Sequence, residues 1–173
     1  MQAEKRQTKI ADAILMEMDQ EAEITKRLFN VIPEDKFEWR PHAKARSLGE
    51  LAMHVAMIAG SVAEIAEMDT KQAGDFPVDP VATSRGQILA AFAESLEKGK
   101  AIVASTDDVR AMEEWKLVHD GKTLVAMPRA AFWRSIMLNH YYHHRGQLSA
   151  YLRELDVEMP SIYGPSADTN PFA

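Results

Sequence analysis

The chain of 173 residues contains no cysteine, which excludes disulfides, thiolate metal sites and catalysis by a thiol of its own, while leaving histidine and carboxylate chemistry open. It also lacks an excess of positive charge, since 20 Lys and Arg stand against 26 Asp and Glu for a formal charge of −6. That balance offers no electrostatic footprint for a phosphate backbone and repels anionic lipid, so neither nucleic acid nor a membrane is expected as a partner. No window of about 18 uncharged apolar residues occurs, so no transmembrane helix is expected. The run Met1-Gln2-Ala3-Glu4-Lys5-Arg6-Gln7 has no apolar core of the kind a signal peptide needs, and a cytoplasmic location is expected. Internal repeats and Ser/Gly linkers are missing too, so residues 1–173 are expected to form one domain.

What is present is an ordinary globular composition, 46% hydrophobic and 27% charged, arranged in four long segments of helical period. The first spans about Thr8 to Val31, with Ile10, Ala13, Ile14, Ala22, Ile24 and Leu28 in an apolar band and Pro33 closing it. Ser47-Leu48-Gly49-Glu50 has the S-x-x-E form of a capping box, which satisfies free backbone donors at a helix start. Leu51, Val55, Ile58, Val62 and Ile65 continue that second helix until the polar, proline-punctuated run from Asp69 to Pro80. Ser84-Arg85-Gly86-Gln87 offers a second capping box for a helix to about Ala104, carrying Ile88, Phe92, Leu96 and Val103, with Gly99 as a local cost. Between Trp115 and Met127, Asp120-Gly121 separates two short β-prone runs, which fits either a hairpin or an irregular loop. Pro128 suits the first turn of a last helix, on which Phe132, Ile136, His140, Leu148, Tyr151 and Leu152 mark one side to about Asp156. The expected fold class is all-α, a four-helix bundle with a short hairpin or loop before its last helix.

Three of the six histidines fall in His140-Tyr141-Tyr142-His143-His144. His140 and His144 lie about 40° apart around a helix and one turn apart along it, so both rings can reach one ion. His54, inside the apolar stripe of the second helix, can add a third imidazole from across the bundle. Three neutral imidazoles leave a divalent metal its full charge and open positions for substrate or water. Each observation alone has a plainer reading, a solvated histidine pair or a hydrogen-bonded core histidine. His143 points about 100° away from His144 and is left out of the site. His42, beside Pro41, and His119, beside the Asp-Gly turn, are expected to be exposed. Glu50 lies one turn before His54 and can orient it, although the capping box already accounts for it. Gln147 can face the metal cavity or bond elsewhere in the bundle, and Trp133 and Tyr151 can wall a pocket or serve as core. The ten methionines read as packing.

Ser47-Leu48-Gly49-Glu50-Leu51-Ala52-Met53-His54 and Asn139-His140-Tyr141-Tyr142-His143-His144-Arg145-Gly146-Gln147-Leu148 resemble the motifs of the DinB/YfiT-like four-helix proteins. The tail Pro160-Ser161-Ile162-Tyr163-Gly164-Pro165-Ser166-Ala167-Asp168 is similar to a frequent ending of that family. The resemblance implies a homodimeric bundle holding zinc or nickel through the three histidines that match His54, His140 and His144. It also implies a small-molecule substrate, with metal activation of a low-molecular-weight thiol for S-transfer to an electrophile as the leading activity. A hydrolase using metal-bound water and a non-catalytic, metal-stabilised stress protein are the alternatives. The final residues Thr169-Asn170-Pro171-Phe172-Ala173 say nothing about substrate.

Overall fold

Apolar residues three and four apart produce the first helix of the computed structural model, which describes residues 8–173. This helix, α1 (Ile10–Asn30), buries Ala11, Ile14, Met18, Ala22, Ile24, Leu28 and Phe29. The buried band runs through Ala11 rather than the exposed Ala13. The second helix, α2 (Leu48–Glu67), starts at the expected capping box. The Ser47 hydroxyl accepts from the Glu50 N–H at 3.3 Å, and the Glu50 carboxylate accepts from the Ser47 N–H at 2.6 Å. This helix is long and apolar enough to cross a membrane by length and composition, yet 67% of its most apolar 18-residue stretch is buried inside the protein. Apolar residues all round a helix are the mark of a core element, and α2 is central here.

The third helix, α3 (Arg85–Ser105), is capped by the Ser84 hydroxyl, which accepts from the Gln87 N–H at 3.2 Å. The return contact is displaced by one residue, because the Gln87 amide oxygen accepts from the Thr83 N–H at 2.8 Å. Gly99 has a purpose that helix propensity alone conceals. A Cβ there would lie 2.8 Å from the Ala59 carbonyl oxygen, and one at Gly60 would lie 2.8 Å from the Ser95 carbonyl oxygen. The two glycines therefore let α2 and α3 meet at backbone contact.

Beyond α2 the fold departs from an all-α class. The short strand β1 (Thr70–Gln72) lies parallel to β2 (Glu114–His119), which pairs antiparallel with β3 (Lys122–Pro128). The architecture is mostly helical with a small three-stranded sheet, so the expected all-α class holds only in part: the hairpin before the last helix is joined by a third strand. Asp120 and Gly121 turn between β2 and β3 with φ of 46° and 74°, the backbone of a hairpin whose twist matches its strands. The sheet edge at β1 was invisible locally, because its partner lies far along the chain. A short helix, α4 (Asp108–Met112), precedes β2. Trp115 of β2 is buried, packs at a tilt against Phe132 with 4.2 Å between ring centroids, and donates its indole N–H to the Ile65 carbonyl at 3.1 Å.

The last helical run consists of α5 (Arg129–Phe132), a π-helical segment (Trp133–Leu138) and α6 (Asn139–Glu154). Backbone angles stay helical at both joints. Each residue of the wider π turn advances the helix by less than 100°, so an apolar stripe extrapolated through it is rotated. Ile136, expected on the core side, is accordingly 38% exposed, and Met137 takes the buried position at 1%. Arg129 is buried and donates to the Ala66, Met68 and Glu113 carbonyls at 2.9, 3.0 and 3.2 Å. It thereby closes the free carbonyl end of α2 with a side chain.

Candidate metal centre

The rotational setting of α6 is fixed by a buried ion pair. The Arg145 guanidinium meets the Glu21 carboxylate of α1 at 2.6 Å, and the Tyr163 hydroxyl donates to the same carboxylate at 2.8 Å. The Tyr141 hydroxyl adds a hydrogen bond to the Thr25 hydroxyl at 2.5 Å. Burying two charges contributes little net stability, but their geometric demands define one orientation of a helix. With Tyr141, Arg145, Leu148 and Leu152 facing inward, His140 and His144 sit one position before the first two of these. They are half-buried along the flank rather than on the deep stripe where the sequence placed His140. That flank faces α2 two turns past its start, where His54 is located.

The three imidazoles converge. The Nε2 atoms of His54 and His140 stand 3.1 Å apart, and the ring centroids lie 5.0 Å (His54–His140), 4.5 Å (His54–His144) and 4.6 Å (His140–His144) from one another. One ligating nitrogen from each can be chosen so that all lie within 4.8 Å of one another. Tetrahedral ligation at 2.0–2.1 Å puts nitrogens about 3.3 Å apart. The first pair is close to that spacing, and the third ring is near enough to join it.

Neighbouring groups select which nitrogen each ring presents. The Nδ1–H of His54 donates to the Asp79 carboxylate at 2.6 Å, and the Nδ1–H of His144 donates to the Gln147 amide oxygen at 2.7 Å. Each bond leaves the Nε2 lone pair free, which is the usual way an outer carboxylate or carbonyl prepares a histidine for a metal. Burial, with smaller contributions from neighbouring cationic groups, lowers the pKa of His140; burial pushes that of His144 down to about 4 against the opposing Gln147 hydrogen bond. Both rings are therefore neutral near pH 7 and able to ligate. Burial disfavours the charged form of Asp79, but the hydrogen bond from His54, helped by Arg46, outweighs it and holds the carboxyl below the usual range. The donor set thus fits a divalent cation. Beside it opens a cavity of about 260 Å³, bounded by α2 and the loop through Phe76, Pro77, Val78 and Asp79, with His54 and His140 in its wall.

Residues 3–170 match the model of the DinB family. The chain belongs to the DinB family. Among curated relatives, the uncharacterised protein YrdA of Bacillus subtilis (strain 168) is 24% identical over 162 residues, covering 91% of this chain and 90% of YrdA. Among solved structures, a DinB-like protein from Bacillus cereus ATCC 10987 superposes with a TM-score of 0.70 at 20% identity, covering 88% of this chain and 97% of the other. The DinB-like protein YjoA from Bacillus subtilis gives a TM-score of 0.63 at 20% identity, over 87% and 96% of the two chains. A DinB family member from Exiguobacterium sibiricum 255-15 gives 0.63 at 20% identity, over 89% and 97%. Likeness at this level of identity is a likeness of fold.

The other residues singled out in this DinB chain divide clearly. Gln147 touches the site by holding His144. Glu50 does not reach His54; its carboxylate caps α2 and lies 3.7 Å from the Arg40 guanidinium. Trp133 is not in the histidine cavity. At 1% exposure it is core, lining a separate cleft with Ala66, Arg110 and Arg129, because the π segment rotates it off the face extrapolated from His140. Tyr151 packs edge-on against Trp39, with 5.5 Å between ring centroids, and does not line the cavity either. His143 is exposed beside His144, His42 is exposed in its loop, and His119 is exposed at the end of β2. Asp79 and Arg46 are the residues that sequence reasoning missed. Asp79 lies in a loop 25 positions after His54, and no spacing rule links a loop carboxylate to a helix that far away.

Proposed function

We propose that this DinB protein is a divalent-metal-dependent enzyme, with zinc or nickel held by His54, His140 and His144, that activates a low-molecular-weight thiol for S-transfer to an electrophile. The observation that carries the reading is the convergence of three imidazoles, two of them kept neutral by burial, beside a cavity. The chemistry such an ion supplies when bound is Lewis-acid activation, which lowers the pKa of a coordinated thiol or water. The protein's own part is positional. Asp79 and Gln147 fix the tautomers and ring orientations of His54 and His144, and the loop carrying Phe76 to Asp79 lines one side of the adjoining cavity. With no cysteine in the chain, the sulfur nucleophile has to arrive as a cosubstrate. The family resemblance supports the thiol as that cosubstrate, and a homodimer as the working form.

Native metal content, measured together with turnover on a panel of thiol and electrophile pairs, tests the reading. Thiol-dependent conjugation by metal-loaded protein is expected. Turnover without thiol would replace transfer by hydrolysis, and bound metal without either activity would leave the ion a structural tie between α2 and α6. Sedimentation equilibrium tests the dimer, which a mass staying near 19.4 kDa at tens of micromolar would refute.

A further inference from the structure

We propose that the cavity beside His54 selects a small carboxylate, a compact molecule with an apolar body and one anionic end, and that Arg46 is the residue that reads the anion. The proposal builds on the metal-site reading for where the reacting end lies, but not for how the anion is held.

The walls state the apolar half. Met57, Ile58, Val62 and Ile65 line one side from α2 and Phe76 the other, with Ser61 as the hydroxyl among them. A volume of about 260 Å³ falls below the 300–1,000 Å³ of pockets that enclose drug-sized ligands, so the body of the molecule is small. A sugar or another polyhydroxylated compound would leave its donors and acceptors unpaired against such walls.

Arg46 states the charged half. The residue lines the same cavity, and its side chain is 46% exposed. Its single ionic contact is with Asp79 at 3.5 Å, longer than a well-formed hydrogen bond. That carboxylate is already committed to His54 at 2.6 Å. Arg46 forms no other hydrogen bond or ion pair among the described residues, so most of its five donors are free, and a planar guanidinium with free donors is matched by a carboxylate. Charge agrees with geometry. Asp79 offsets one positive charge, and a divalent ion held by the three histidines would leave the pocket strongly positive, which favours an anion over a neutral or cationic molecule.

Binding of hexanoate and phenylacetate, compared with hexanamide and phenylacetamide, tests this by calorimetry on the metal-stripped protein and on the same protein loaded with zinc. The carboxylates are expected to bind the metal-stripped protein at least about tenfold more tightly than the amides, the scale of one charge-assisted contact. Arg46→Gln should erase that preference and Arg46→Lys should keep part of it. Phe76→Ala should weaken carboxylate and amide alike, leaving their ratio in place. Equal binding of acid and amide to the metal-stripped wild type overturns the proposal, and so does a preference that survives Arg46→Gln. Zinc titration of the wild type separately decides the three-histidine reading. A failure there leaves the metal-stripped comparison intact, and Arg46→Gln should bind zinc within about threefold of wild type because it supplies no ligand.

Discussion

Asp79 offers the most direct perturbation of the site, because it touches a candidate ligand without being one. Its carboxylate accepts the His54 Nδ1–H at 2.6 Å, and the His54 and Asp79 side chains are only 14% and 16% exposed. A hydrogen bond to a charged group contributes about 1.5–3 kcal/mol, or about 10- to 150-fold in an equilibrium constant. Removing an outer partner of a metal-bound histidine commonly costs about 10–100-fold in metal affinity. Part of the gain is returned, since burial opposes the charged carboxylate. Asp79→Ala should therefore weaken zinc binding by about ten- to thirtyfold. Asp79→Asn keeps an oxygen that accepts from Nδ1–H and so preserves the tautomer while losing the charge. It should cost less, about three- to fivefold. Calorimetric zinc titration against a competing chelator measures both, with urea melts of the metal-free proteins as a control for folding. Zinc affinity of Asp79→Ala within twofold of wild type would refute the reasoning, and an Asn variant as weak as the Ala variant would refute the tautomer argument specifically.

His140→Ala and His144→Ala should each strongly reduce zinc or nickel occupancy by elemental analysis while leaving far-ultraviolet circular dichroism nearly unchanged, because the core stripes lie on other residues. His54→Gln should lower metal affinity more than it lowers the melting temperature of the metal-free protein; the reverse order would make His54 a packing residue. Gly99→Ala gains about 1 kcal/mol of helix propensity but drives a Cβ to 2.8 Å from a backbone oxygen, an overpacking that costs about 1–3 kcal/mol, so urea melts should show net destabilisation. Gly146→Ala in α6, with nothing within 4 Å of the added Cβ, should instead be stabilising by up to about 1 kcal/mol. Metal-free protein should lose stability as pH falls from about 7.5 to about 5, because the lowered folded-state pKa values of His140 and His144 lie below 6.5 and the unfolded chain takes up the protons first. His144→Asn should flatten that slope, and an unchanged slope would contradict burial as the cause.

Much of this protein was legible along the chain. The start of α2 at Ser47 and the limits of α1 and α3 to within two residues followed from interactions between residues a few positions apart, and the structure chose the hairpin over the loop at Asp120-Gly121. Such interactions need no knowledge of the rest of the fold. The pairing of His140 with His144 belongs to the same class, because helix geometry alone stacks residues four apart. The extra imidazole of His54 was legible as a polar ring in an apolar stripe and through the resemblance of the Ser47-to-His54 motif.

What the tertiary structure decided was phase, pairing and partnership between distant segments. The π segment rotated Trp133 and Ile136 away from the face that an unbroken helix would give them, and Arg145 with Glu21 set the turn of α6 that brings its histidines to His54. The strand at Thr70–Gln72 exists because β2 lies beside it, and Gly99 is a contact point only once Ala59 is opposite. Asp79 becomes the partner of His54 by the path of a loop. Local backbone preferences amount to about 1 kcal/mol or less per residue and can be read in short windows. The contacts that complete this site join residues tens of positions apart, so their energies exist only after the chain has folded around them.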